Sequence, residues 1–330
     1  MRYTGFSLFP ILVATLLLSP VTGLAASTAA TAYDWLMKMN RATRELNYDG
    51  TFVFQQGQQL EAMRIIHWAD KGSVKERLVS LNGTAREIIR DDQQVMCYLP
   101  DRKSVVVEHR LARGKSFPVI LPNRLEQLQK HYEMQLGRMP ARVTGRDTQV
   151  VVILPRDSYR YGYRLWADKE SGLLLKADLI DQMGSTLEQF MFTQVNIGVT
   201  IEPQELEPDV STENMVWYWG KRIEQGTVTL FKRWSVGQVP SGFVLSNKLM
   251  RKNPRRNKPV EHLVYSDGLA AVSIFIEKID KDGGTAMKGP SSMGAVHAFG
   301  DVINDYQITV VGEVPAATVE LIGKSVRARP

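Results

Sequence analysis

"YRYGYRLWADKESGLLLKADLIDQMGSTLEQFMFTQ", residues 159–194, decides the fold class. Its apolar runs are too short for ordinary helices, and Asp/Gly-rich stretches at 168–172 and 181–185 separate them. Asp and Gly there supply turn chemistry, so the stretch reads as three antiparallel strands joined by tight connections. No helix intervenes, which argues against an alternating parallel α/β chain.

The same signals continue upstream. In "YDGTFVFQ" (48–55), Tyr48, Gly50, Phe52 and Phe54 share one face of a strand, with Asp49, Thr51, Val53 and Gln55 on the other. "RLVSLNGTAREIIR" (77–90) carries Asn82-Gly83 between apolar runs, a strong hairpin cue, and "VMCYLPDRKSVVVEH" (95–109) places Pro100-Asp101 between two strands. Before them, "AYDWLMKMNRATRELN" (32–47) puts Trp35, Leu36, Met39, Ala42 and Leu46 on one helical face, with Asp34 favouring the helix dipole at its start. "PNRLEQLQKHYEM" (122–134) aligns Leu125, Leu128 and Tyr132 as a short helix. The expected class is α+β: a large antiparallel meander with helices, followed by a smaller α+β unit. A curved sheet of this kind must bury one face and leaves room for an apolar cavity. Phe52, Phe54, Ile65, Tyr163, Phe190 and Phe192 are its candidate lining; the alternative is that they fill the core.

"IEPQELEPDVSTENM" (201–215) is rich in Pro and acid and lacks periodicity, which marks a linker over 203–215 and a candidate hinge. The second unit then starts at residue 216. "TVTLFKRWSV" (227–236) and "GFVLSNKLM" (242–250) read as strands, and "HLVYSDGLAAVSIFIEKI" (262–279) as a hairpin through Asp267-Gly268. "YQITVVGEVPAATVELIGKSV" (306–326) reads as a strand, a turn and a helix opened by Pro315, with Val319, Ile322 and Val326 facing a core.

The chain opens with Arg2, an apolar run from Phe6 to Leu18, and small residues at Gly23, Ala25 and Ala26. This pattern reads as a secretory signal peptide over residues 1–25 and leaves 26–202 as the large domain. An uncleaved anchor is the alternative, but Pro10 and Pro20 leave the run short for a membrane span. The mature protein is therefore expected to be exported. Cys97 is the only cysteine, so no intrachain disulfide can form, and its apolar strand neighbours point to a buried structural thiol. Lys and Arg total 41 against 35 Asp and Glu, a net charge of +6 that is modest for 330 residues and does not describe a general nucleic-acid binder.

No catalytic constellation emerges. The five histidines are scattered without metal-ligand spacing, and GxSxG, P-loop and dinucleotide fingerprints are missing. The reading is of a non-enzyme with no cofactor and no metal. The sharpest feature is "KLMRKNPRRNKPVEH" (248–262), where Lys248, Arg251, Lys252, Arg255, Arg256 and Lys258 crowd one expected loop without an acid among them. A solvated loop is the bland account. The alternative is an external anion, a phosphate or an acidic peptide, which Arg engages through paired hydrogen bonds.

"MRIIHW" (63–68) with "KERLVSLNGTAREIIR" (75–90), "PRDSYRYGYRLWADKESGLLLKADLI" (155–180) and "LEQFMFTQ" (187–194) resemble the large domain of the RseB/MucB family of periplasmic sigma-E regulators. "VPSGFVLSNKLMRK" (239–252), "YSDGLAAVSIFIE" (265–277) and "ITVVGEVPAATVELIGKSV" (308–326) resemble its small domain, in the same order. The resemblance implies a periplasmic location and a large domain similar to the lipoprotein carriers, an incomplete antiparallel β-barrel with helices. It also implies a partner, the periplasmic region of a membrane anti-sigma factor, which the protein shields from regulated proteolysis until lipid or lipopolysaccharide competes. A periplasmic lipid or lipoprotein carrier is the rival function, and a homo-oligomer remains open.

Overall fold

The structure, a computed structural model, describes residues 30–109, 121, 125–219, 234–252, 258–279 and 286–329. The signal-peptide reading falls outside these residues. Thr31 caps helix α1 (Ala32–Glu45) in a reciprocal box with Asp34, which satisfies two orphan backbone donors, and Ala32, Leu36, Met39 and Ala42 form its buried face.

Then come β1 (Tyr48–Gln56), β2 (Gln59–Asp70), β3 (Ser73–Ser80), β4 (Glu87–Arg90), β5 (Gln94–Leu99) and β6 (Ser104–His109). They are followed by β7 (Tyr132–Leu136), β8 (Ala141–Val143), β9 (Arg146–Pro155), β10 (Gly162–Asp168), β11 (Leu174–Ile180), β12 (Thr186–Ile197) and β13 (Val216–Trp219). All thirteen belong to one sheet in the order β13-β6-β5-β4-β3-β2-β1-β12-β11-β10-β9-β7, with β8 also on β9. The path does not close on itself, so among the described residues this is an open sheet. Its main core packs α1 and the 3-10 turn Leu125–Lys130 against side chains such as Phe52, Ile65, Leu165 and Phe192.

Four local readings differ from expectation. Leu125 and Leu128 are buried as expected, but their turn is a 3-10 helix and Tyr132 opens β7 instead of extending it. The Asn82-Gly83 turn joins β3 to β4 across a wider loop, closed by Ser80 N–H on the Arg86 carbonyl at 2.9 Å. Asn82 is used elsewhere: its side chain accepts from Ala62 N–H at 2.7 Å and donates to the Leu60 carbonyl at 2.9 Å, pinning the loop to β2. The stretch 201–209 is bound down along the sheet. Ile201 and Leu206 pack with Ile66, Lys75 pairs with Glu207 at 2.7 Å, and buried Arg77 holds both Glu87 and Asp209. A hinge there would have to break these contacts, because Glu207 and Asp209 are spent on β3 cations. Val216–Trp219, assigned from sequence to the second unit, lies parallel to β6 at the edge of the large sheet.

The smaller layer contains β14 (Trp234–Val236), β15 (Val244–Lys252), β16 (Pro259–Ser266), β17 (Ala271–Lys278), β18 (Gly289–Met293), β19 (Val296–Ile303) and β20 (Tyr306–Gly312). Helix α2 (Ala316–Ser325) and β21 (Val326–Ala328) complete it. Six strands form a sheet in the order β15-β16-β17-β20-β19-β18, while β14 pairs with β21. Val319, Ile322 and Val326 seal α2 and the chain end onto its core with Ile274, Phe299 and Val310.

Candidate functional site

The alternation in β1 points Tyr48, Gly50, Phe52 and Phe54 to the inner face. Phe52, Phe190 and Phe192 pack as a trio with ring centroids 5.1–6.1 Å apart. Gly50 makes room for it: a Cβ there would lie 2.8 Å from Phe192 Cε1. Beside the trio is a cavity of about 340 Å3 lined by Phe52, Phe54, Met63, Leu78, Ile88 and Val95, with Glu61, Arg86 and Arg90 among its polar members. Of the six candidate lining residues, Phe52 and Phe54 reach this hollow. Ile65, Phe190 and Phe192 are core, and Tyr163 packs half-buried against that core. Met63, Leu78, Ile88 and Val95 escaped the sequence reading because only the inter-strand register brings them to Phe52. Their in-strand alternation was the available signal.

Cations flank this apolar wall. Arg86 donates to Glu61 at 2.9 Å. Arg90 pairs with Glu76, the next member of a row running Tyr48, His67, Glu76, Arg90 across β1 to β4. The Tyr48 ring stacks on His67 at 4.6 Å, His67 Nδ1 lies 2.9 Å from the Leu46 carbonyl, and its Nε2 lies 3.5 Å from Glu76. The Leu46 contact requires Nδ1–H as donor. Burial lowers the His67 pKa against the opposing pull of Glu76, and burial raises that of the Tyr48 hydroxyl. An apolar hollow bordered by guanidinium groups has the chemistry to hold an acyl chain with an anionic head. Cys97, on the same face as Ile88, is half-buried and not fully enclosed; burial raises its pKa.

The basic segment begins as an edge strand. Residues 248–252 belong to β15, the outer strand of the six-stranded sheet, and Pro259 opens β16 opposite Lys252. A proline is tolerated at a strand's first position. Lys248 lies 3.3 Å from Glu261 on the neighbouring strand, and burial raises the pKa of that carboxyl. The counter-charge of Lys248 thus comes across the ladder, from outside the run 248–258. Lys258 is half-buried. The side chains of Arg251 and Lys252, and all of Arg255 and Arg256, lie outside the described residues.

The opening stretch contributes one more group. Arg160, fully buried, crosses from the large sheet to the small one: Nη1 reaches Asp267 at 2.6 Å and Nη2 the Ser241 carbonyl at 2.6 Å. Its guanidinium also sits against the Tyr132 and Phe243 rings at 5.5 and 5.0 Å, and Tyr132 donates to Asp267 at 2.9 Å. Burial beside Asp267 raises the Tyr132 pKa. Asp267 thus serves twice, as the predicted turn residue accepting from Leu269 and Ala270 N–H, and as the receptor for Arg160. Thr318 on α2 adds a 2.6 Å bond to the Tyr159 carbonyl. Gly242, at φ +87, lets the chain pass His131, whose ring would be 2.4 Å from a Cβ.

Among the described residues no group of three or more His, Cys, Asp or Glu could hold a metal, and no helix is long and apolar enough to cross a membrane. Comparison with known families matches residues 31–210 to the MucB/RseB N-terminal domain and 229–327 to the MucB/RseB C-terminal domain. The chain belongs to the MucB/RseB family. Relatives in it include the sigma factor AlgU regulatory protein MucB of Pseudomonas aeruginosa, 33% identical over 94% of this chain and 96% of that one. The sigma-E factor regulatory protein RseB of Haemophilus influenzae is 27% identical over 100% and 98%. Among solved structures, MucB in complex with MucA(peri) superposes with a TM-score of 0.70 at 32% identity, covering 91% of this chain and 99% of that one. A crystal structure of MucB gives 0.62 at 30% identity over 90% and 98%. In this MucB/RseB member, then, the two family domains are fastened through Arg160, and the hollow lies wholly within the first.

Proposed function

We propose that this protein is a periplasmic negative regulator of a sigma-E-type envelope-stress response, acting as a binding protein that makes and breaks no covalent bonds. It holds the periplasmic region of a membrane anti-sigma factor and shields it from the protease that begins its destruction. The observation that carries this reading is the likeness, over nine-tenths of the chain, to MucB in complex with MucA(peri).

The cationic segment from Lys248 to Lys258 meets an acidic stretch of the partner. An acylated anionic lipid or lipopolysaccharide fragment enters beside Phe52 and Phe54, with its acid toward Arg86 and Arg90, and competes with the partner. Such a ligand shifts the complex only by its differential affinity for the two states, ~1–3 kcal/mol for ordinary coupling.

The test is capture of the anti-sigma periplasmic domain by the purified protein, followed by proteolysis with and without it. The protein is expected to slow cleavage, and acylated anionic lipid to restore it. Replacing Arg251, Lys252, Arg255 and Arg256 with Ala is expected to weaken capture at low salt with little change in thermal unfolding. Capture that is unchanged in this variant removes the basic segment from the interface. The same cavity also suits a carrier of acyl chains; bound lipid in the purified protein without capture of an anti-sigma domain would favour that reading.

A further inference from the structure

The edges of the two sheets have opposite chemistry. The small sheet ends in β15, with Lys248, Arg251 and Lys252 along it, and charged edges discourage association. The large sheet ends in β13, whose whole sequence is Val216, Trp217, Tyr218 and Trp219. These side chains are 55%, 38%, 57% and 61% exposed. Among the described residues no strand lies beyond β13, which pairs only with β6. Four consecutive large apolar side chains left in water form a patch that calls for a partner.

Their directions identify the kind of partner. Trp217 and Trp219 stack at 5.8 Å, and Trp217 meets Tyr98 edge-on at 6.2 Å, so the indoles stand on the outer face. Tyr218 stands on the inner face, in the register row of Val106, Cys97 and Ile88, which leads to the cavity. An added peptide strand would pair with the β13 backbone and leave rings exposed on both faces. A headgroup layer takes both sets together, and Trp and Tyr, apolar rings with one polar hydrogen, are the side chains suited to that depth. Charge agrees. Val216 N–H donates to the Lys103 carbonyl at 2.8 Å, which brings the exposed Arg102–Lys103 pair to the start of the strand. Neither cation has an ion-pair partner among the described residues.

We propose that the β13 edge, with Trp217, Tyr218, Trp219, Arg102 and Lys103, docks the protein onto an anionic phospholipid surface. This is independent of the anti-sigma reading and of what fills the cavity.

The test is co-sedimentation of the full mature chain with phosphatidylcholine vesicles, with and without phosphatidylglycerol, followed also by tryptophan emission and by quenching with brominated lipid. Binding to the phosphatidylglycerol vesicles with a blue shift is expected. Arg102→Gln and Lys103→Gln should each weaken it about fivefold at low salt. Trp217→Ala and Trp219→Ala should each weaken it about tenfold. Trp217→Phe/Trp219→Phe retains the packing on Tyr98; it should still bind but lose most of the brominated-lipid quenching. All variants should capture the anti-sigma domain like the wild type in the absence of vesicles. Failure of the wild type to bind anionic vesicles, or undiminished binding by the Ala variants, overturns the proposal. So does loss of anti-sigma capture by those variants, since the edge would then be a peptide site.

Discussion

His67 is neutral because of where it lies. Its side chain is 1% exposed, and burial depresses the imidazole pKa below the unfolded value of about 6.5. Below that pH the unfolded chain takes up a proton that the folded chain refuses. The stability associated with His67 is therefore complete above about pH 6.5 and is lost as the pH falls toward the depressed folded value. Glu261, raised by burial, pushes the slope the opposite way, so the informative comparison is between wild type and His67→Gln. The variant should be less stable at neutral pH yet lose less between about pH 7 and pH 5, read by thermal unfolding. Equal slopes would place the acid sensitivity on other groups. Sequence could name His67 but not its state, because the Tyr48 ring, the Leu46 carbonyl and Glu76 arrive from three other positions along the chain.

At the scale of elements, Gly50 governs how closely β1 approaches β12. A Cβ would lie 2.7 Å from the Gln194 carbonyl oxygen and 2.8 Å from the Phe192 ring, with backbone on one side and a packed aromatic on the other. Gly50→Ala should cost about 1–3 kcal/mol in denaturant unfolding, through a forced shift of the Phe52–Phe190–Phe192 trio beside the cavity. A neutral result would mean that the two strands separate without penalty. Element identity was legible where period and turn chemistry agreed, as in α1, β1 and the β16–β17 hairpin. It misled where one residue served a distant neighbour: Asn82 bonds to β2, and Glu207 and Asp209 bind β3 cations, which turns an expected hinge into a strap. The basic segment shows the same limit, since Lys248 finds Glu261 only when β15 and β16 are paired.

For the whole molecule, the decisive contact is Arg160–Asp267, with both side chains 0% exposed. Removing one partner strands the other as a buried charge, so Arg160→Ala should cost about 3–5 kcal/mol and loosen the small sheet from the large one. Replacing both partners with apolar residues should recover much of that stability. If the double variant is stable yet no longer captures the anti-sigma domain, the pair serves domain orientation more than stability. Unfolding curves and the capture assay read the two effects separately.

By itself the sequence determined the antiparallel class, the amphipathic first helix, the small α+β layer, the cationic stretch and the resemblance to the MucB/RseB family, since each rests on neighbours within a few residues or on order along the chain. Only tertiary structure decided which aromatic residues border a hollow, that Arg160 seeks Asp267, and that Val216–Trp219 ends the large sheet with its rings in water. Those outcomes depend on strand register and on the meeting of residues more than a hundred positions apart, which local periodicity does not encode.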